Sequence, residues 1–247
     1  DPSITREDVK EWIAANYEKK DNLAGENSWI PPGPHYEYQI DLFFMADLKG
    51  EEQKRYAGAM CAIDSFTKFV AVEPMKTKME HAFLSALVDC FKTLGGSPKS
   101  IYADDEGSWH GRGVQGYLRA EKIQLINTRS HAGIVERVIR TLKNMMYKRL
   151  ERNPELVWHG ELLRSVVNTY NKKRVHSAVE MTPEEARKPG NEKEVRANIM
   201  KHGSWTRDYP EVRVGDVVRV YRKKKPMDKQ QVSMWLPTHY TVTGIEV

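Results

Sequence analysis

Between residues 36 and 44, apolar side chains recur at every second position. Tyr38, Ile40, Leu42 and Phe44 fall on one face of an extended segment, Gln39 and Asp41 on the other. The polar run DLKGEEQKR reads as the turn of a hairpin. Two more strands follow over 56–63 and 67–74, joined around Asp64-Ser65. The period then changes: Phe83, Leu84, Leu87, Val88 and Phe91 recur at three-four spacing and predict a helix over 78–93, closed by Gly95-Gly96. KSIYA is a short strand that runs into Asp104-Asp105. Residues 114–120 suit a short helix, 122–126 a strand, and TRSHAG a loop. A long helix is predicted from about 132 to 152, with Val135, Val138, Ile139, Leu142, Met145 and Met146 as its buried stripe. Another helix covers 155–173, and Thr182-Pro183 opens a further one with proline at its first position.

Strands followed by alternating helices and strands predict an α/β layer structure around one mixed sheet, over residues 36–190. The flanks read differently. Residues 1–35 comprise an N-terminal helix over 4–19, opened by the capping pair Thr5 and Asp8 and carrying Val9, Trp12 and Ile13 on one face, and a linker rich in Gly, Asn and Pro. Residues 191–211 are polar and linker-like, as in the run GNEKEVRANIMKHGSWTRDYP from Gly190 to Pro210. Residues 212–247 return to strand alternation, as Val212–Val220 and Tyr240–Val247.

Composition narrows the chemistry. The 247 residues carry a net charge of +5 and a pI near 9.0, a balance that suits a polyanionic partner. The two cysteines, Cys61 and Cys90, sit in apolar settings and read as buried thiols of a reducing compartment, with no Cys-x-x-Cys pair for zinc. No apolar run approaches the length of a membrane span, and no signal peptide opens the chain, which starts at Asp1 as a processed fragment would. There is neither a P-loop nor a Gly-x-Gly-x-x-Gly fingerprint, so no nucleotide cofactor is expected.

Three carboxylates stand where a carboxylate is locally awkward. Asp41 interrupts a strand, against the depletion of Asp in strands. The Asp104-Asp105-Glu106 run follows another strand, where neighbours point to opposite faces, so only one of Asp104 and Asp105 can join Asp41. Glu136 opens the polar face of the long helix, with Arg140 and Lys143 one and two turns further on the same face. Carboxylates from two strand ends and a helix can hold a pair of hard divalent cations, the arrangement of two-metal phosphodiester chemistry.

The order Asp41, Asp105-Glu106-Gly107, Glu136-Arg137 resembles the DDE integrase and transposase family, and YNKKRVHSAVEMTP matches its Tyr-Asn, His and Thr-Pro pattern at Tyr170, Asn171, His176, Thr182 and Pro183, read as structural residues. Within that family, IDLFFM, AIDSFTKF, DDEGS and VERVIRTLKNMM look most like the integrases of Maverick/Polinton DNA transposons. The resemblance implies a ribonuclease-H-like core and an SH3-like C-terminal barrel, here short of its last strand. It implies Asp41, Asp105 and Glu136 as catalytic residues and ligands of two Mg²⁺ or Mn²⁺ ions, with Asp41 bridging and Asp104 and Glu106 as bystanders. It further implies end processing and strand transfer of element DNA, a dimer or higher homo-oligomer built mostly through the helices after residue 130, and nuclear action. DNA contacts are expected from His131, Arg140, Lys143 and the run Arg222, Lys223, Lys224 and Lys225. Two departures stand out: the spacing from Asp105 to Glu136 is shorter than the retroviral one, and the family's His-His-Cys-Cys zinc set is missing. A DNA-binding relative that does not cut, or another ribonuclease-H-like nuclease, are the alternatives.

Overall fold

The computed structural model describes residues 5–9, 12, 25–128, 132–207, 211–221 and 235–245. Two compact units are present, Ser28–Ser204 and a second one of the chain's two flanks.

The larger unit is built on five strands: β1 (Glu37–Phe43), β2 (Gly58–Asp64), β3 (Val70–Met75), β4 (Ser100–Asp104) and β5 (Gln124–Thr128). They lie in the order β3-β2-β1-β4-β5. The first three form an antiparallel meander, while β4 and β5 run parallel to β1. Parallel neighbours need crossover connections. Helix α1 (Glu80–Leu94) supplies the one from β3 to β4, and α2 (Arg112–Ala120) the one from β4 to β5. As the glycine pair predicts, α1 ends at Gly95 in the left-handed region, φ 101°, with the amides of Gly95 and Gly96 both donating to the Phe91 carbonyl.

The period-two pattern assigns the sheet's two faces. Tyr38, Ile40, Ile101 and Ala103 pack against α1 and α2 in one core, with Phe83, Leu87, Phe91, Val114 and Leu118. The opposite face buries Phe43, Ala59, Cys61 and Ile63 against α3 (Gly133–Arg152) and α4 (Glu161–Lys173). There the stripe Val135, Val138, Ile139, Leu142 and Met146 lies inward. Asn171 fastens α4 to the sheet: its Oδ1 accepts from the Val70 amide at 3.0 Å, and its Nδ2 donates to the Val70 carbonyl at 2.8 Å. Both cysteines are buried and free.

Thr182 and Glu185 form a reciprocal capping box at the start of α5 (Pro183–Ala186), with Pro183 at the first turn as expected. The linker reading of the following residues does not hold. Residues Glu192–His202 form helix α6, whose Val195 and Ile199, one turn apart, pack with Phe66, Val179 and Ala186 in a third small core. Two apolar residues in an otherwise charged stretch are a weak periodic signal.

In the other unit, residues 6–9 are helical. Thr5 caps them: its Oγ1 accepts from the Asp8 amide at 3.1 Å, and Asp8 Oδ2 accepts from the Thr5 amide at 2.7 Å. Residues 25–27 pair with 205–207, and β6 (Val217–Tyr221) pairs antiparallel with β7 (Trp235–Thr241). Residue 12 is helical as well, and residues 4, 10, 11 and 13–19 of the predicted helix lie outside the described residues. Among the described residues no helix is long and apolar enough to cross a membrane.

Candidate functional site

The parallel pairing of β1 and β4 sets the site. Glu37 lies opposite Ser100, Tyr38 opposite Ile101, Gln39 opposite Tyr102 and Ile40 opposite Ala103. The next step of this register puts Asp41 beside Asp104. Both follow residues of the first core, so both turn to the other face, where α3 packs. The amino end of α3 is fastened to that face from both strands. Gln39 Oε1 accepts from the amides of Ile134 and Val135 at 3.0 and 3.3 Å, and Asp104 Oδ1 accepts from the Ala132 amide at 3.3 Å. Amides of a helix's first turn have no partner within the helix, and carboxylate and amide oxygens are natural acceptors for them. Glu136, in that first turn, is thereby carried to the strand ends.

Asp41 lies at the junction of two hollows. One is a narrow cleft lined by Asp41, Asp104, Glu106, Phe83 and Trp109. The other is a groove of about 340 Å³ lined by Asp41, Glu136, Arg140, Lys143, Asn144 and Tyr147. Burial, with the nearby charges of Asp104, Glu106 and Glu136, pushes the Asp41 carboxyl up to about 6, against the Leu42 amide that donates to its Oδ1 at 2.7 Å. Glu106 is raised too, first by burial and also by Asp104, with Lys78 opposing.

Asp105 does not join this group. Its side chain is 57% exposed, and its Oδ1 accepts from His110 Nε2 at 2.9 Å and from Asn127 Nδ2 at 3.2 Å. Asp104 and Glu136 thus bear on Asp41 through their charge, whereas Asp105 is turned to His110 and Asn127. β4 ends at Asp104, so strand alternation turns Asp104 toward α3, while Asp105, to which the Asp-x-Gly match points, lies one step beyond the strand. The buried Trp109 marks the same frame: it packs edge-on against Phe83, ring centroids 4.9 Å apart, beneath the cleft. The signal that identifies Asp104 is parity, since Ile101 and Ala103 share one core and leave Tyr102 and Asp104 to the other face.

Of the expected DNA contacts, Arg140 is exposed on the groove, whereas Lys143 Nζ donates to the Phe44 carbonyl at 3.0 Å. His131 and Arg222, Lys223, Lys224 and Lys225 lie outside the described residues. Among the described residues, no three His, Cys, Asp or Glu side chains stand within metal-holding distance of one another. The donor set nonetheless suits a hard cation: all oxygen, on three elements, with repulsion around Asp41 that a cation would relieve.

No protein-family model matches the chain. It is 27% identical over 185 residues to an uncharacterized transposon-derived protein of Caenorhabditis elegans, covering 73% of this chain and 60% of that one. It is 28% identical over 142 residues to the retrovirus-related Pol polyprotein of transposon 297 from Drosophila melanogaster, covering 57% of this chain and 13% of the polyprotein. The chain thus spans well under two thirds of either relative. Among solved structures, the HTLV-2 integrase catalytic core domain in complex with magnesium, in a trimeric form, superposes with a TM-score of 0.54 at 21% identity, covering 64% of this chain and 99% of that domain. A chain of the simian T-cell lymphotropic virus intasome in complex with the PP2A regulatory subunit B56 gamma gives 0.62 at 17% identity, covering 95% of this chain and 80% of the other. The fold is that of retroviral integrase catalytic cores, a ribonuclease-H-like sheet flanked by helices.

Proposed function

We propose that this protein is an integrase or transposase of a mobile element, a polynucleotidyl transferase whose site is Asp41, Asp104 and Glu136. The observation that carries this reading is the register of β1 and β4, which sets two carboxylates side by side on the face where α3 presents a third. Kinship with transposon-derived and retrovirus-related proteins supports it. The magnesium in the HTLV-2 structure supports a divalent cation as the cofactor, Mg²⁺ or Mn²⁺, and two ions per site are part of this proposal. When bound, such ions supply Lewis-acid stabilisation of a phosphodiester and activation of the attacking hydroxyl.

The chain's own residues have distinct tasks. Asp41, between the cleft and the groove, would hold the ions together with Glu136. Asp104 holds the amino end of α3 through one oxygen and would hold a cation beside Asp41. Gln39 fixes the pitch of α3, so that Glu136 faces the strand ends. Arg140 borders the groove, where it can meet a DNA phosphate. No side chain is needed as nucleophile: water suffices for end processing and a DNA 3′-hydroxyl for strand transfer.

The finer assignments are part of the same proposal. The resemblance of IDLFFM, AIDSFTKF, DDEGS and VERVIRTLKNMM to Maverick/Polinton integrases supports that assignment, and with it nuclear action. The β6–β7 ribbon is the start of an SH3-like barrel, and the working form is a dimer or larger, in keeping with the dimeric and trimeric HTLV-2 cores. That no three carboxylates stand within metal-holding distance among the described residues favours a second reading, a DNA-binding relative that does not cut. One experiment separates the two: incubation of a duplex with a recessed 3′ end and a target plasmid, with Mn²⁺ or with EDTA. Joined or nicked products that need the ion, and that Glu136→Gln abolishes, are expected. Retarded DNA with no product under any divalent ion would refute the transferase reading.

A further inference from the structure

Helix α3 has a second functional side. Ile134, Arg137, Val138 and Thr141 share a face opposite the one bearing Glu136, Arg140 and Lys143. They line a cavity of about 230 Å³ together with Lys68, Tyr170 and the segment Arg174–Ala178. At roughly 30 Å³ for a water-sized group, the cavity has room for a tetrahedral anion and part of its hydration.

Its lining is rich in donors and positive charge and contains no carboxylate. Lys68 comes from the β2–β3 turn with its side chain buried, and its ammonium donates to the Ser65 carbonyl. Burial lowers its pKa to about 8, with Arg137 adding to the effect and Asp64 and Glu37 opposing. The guanidiniums of Arg137 and Arg174 belong to exposed residues. His176 Nδ1 accepts from the Ala178 amide at 3.2 Å, which leaves the ring proton on Nε2 as a donor. Burial, then Lys68, Arg174 and Arg137, hold this imidazole down to about 4, so it stays neutral. Tyr170 is 2% exposed, and its hydroxyl has no hydrogen-bond partner. A buried orphan hydroxyl is costly, and Tyr170 lines the cavity, so a ligand bound there is the available acceptor for its proton.

We propose that this cavity binds a phosphate group, with Lys68, Arg137 and Arg174 supplying the charge and the Tyr170 hydroxyl and His176 Nε2 the neutral hydrogen bonds. Two guanidiniums from different elements favour phosphate over a smaller anion, because their fork geometry matches its oxygens. The group can be free phosphate or a phosphate of a nucleic-acid backbone. The inference is independent of the transferase reading, since none of these residues belongs to the carboxylate site.

The test is titration of inorganic phosphate into the protein at fixed ionic strength, with chloride as control. Amide signals of residues 170–178 would be followed by NMR in wild type, Tyr170→Phe and Arg174→Gln. Saturable shifts are expected in wild type alone at low phosphate. Loss of a charged hydrogen bond should weaken binding about tenfold in Arg174→Gln, and loss of a neutral one about fivefold in Tyr170→Phe. Tyr170→Phe keeps the ring and hence the packing, so it stays informative if Arg174→Gln perturbs the loop. Shifts that chloride reproduces, or equal affinity in both variants and wild type, would overturn the proposal. A short duplex in place of phosphate identifies the source. The same shifts, with a salt slope lower by about one in Arg174→Gln, mean a backbone phosphate, and shifts with inorganic phosphate alone mean a free one. Both support the site.

Discussion

Replacing Asp41 by Asn should make the ion-free protein more stable at neutral pH, although it removes a residue central to the site. Burial and the charges of Asp104, Glu106 and Glu136 lift the Asp41 carboxyl from an ordinary 3.8 to about 6. Between those two values the folded chain holds a proton that the unfolded chain has released, so stability falls as pH rises through this window. Below 3.8 both states are protonated and the penalty vanishes; above about 6 it is complete. A rise of about two units corresponds to about 3 kcal/mol, and Asp41 is only partly buried, so solvent screening reduces this to about 1–2 kcal/mol. Asn is nearly isosteric and keeps an oxygen to accept from the Leu42 amide. Urea unfolding in EDTA, at pH 7.5 and at pH 4, measures the difference. The variant should be more stable by about 1–2 kcal/mol at pH 7.5, with most of the gap closed at pH 4. A variant less stable than wild type at pH 7.5, or an equal gap at both pH values, would refute the crowding of carboxylates around Asp41. Such a gain at the expense of activity is the trade expected where a site is strained for function.

Gln39→Leu removes the acceptor for two amides at the start of α3 and should cost about 1–3 kcal/mol in urea unfolding; an unchanged midpoint would mean that α3 is anchored otherwise. Asn171→Ala breaks both hydrogen bonds to Val70 in a buried setting and should cost about 2–4 kcal/mol, read the same way. Cys61 and Cys90 are buried, and burial pushes both thiols up, so neither should react with a thiol reagent until the protein unfolds; rapid labelling of the native chain would contradict their placement.

Most of this fold is legible in the sequence because its signals are local. Tyr38 and Ile40 alternate with Gln39 and Asp41, and the structure puts them on opposite faces of the sheet as the alternation requires. The stripe from Val135 to Met146 is buried, and Glu136 falls in the first turn of the helix that this stripe defines. The choice between Asp104 and Asp105 depends on the pairing of two strands some sixty residues apart, which a local motif does not encode. The Asp-x-Gly match points to Asp105, whereas the register, carried one step on, supports the proposal of Asp104. Gln39, the anchor of α3, reads in sequence as an ordinary polar strand residue, because its partners at Ile134 and Val135 are distant. Helix α6 escapes for a different reason: Val195 and Ile199 are too few to raise a periodic signal above its charged residues.

The proposed transferase site turns on Asp104, beside Asp41 and Glu136. Its most direct test is the Mn²⁺-dependent resolution of a branched oligonucleotide that mimics a strand-transfer product, with wild type, Asp104→Asn and Asp105→Asn side by side. Resolution by wild type and Asp105→Asn, with loss of at least a hundredfold in Asp104→Asn, is predicted for removal of a ligand oxygen. Resolution that survives in Asp104→Asn and disappears in Asp105→Asn would contradict the account.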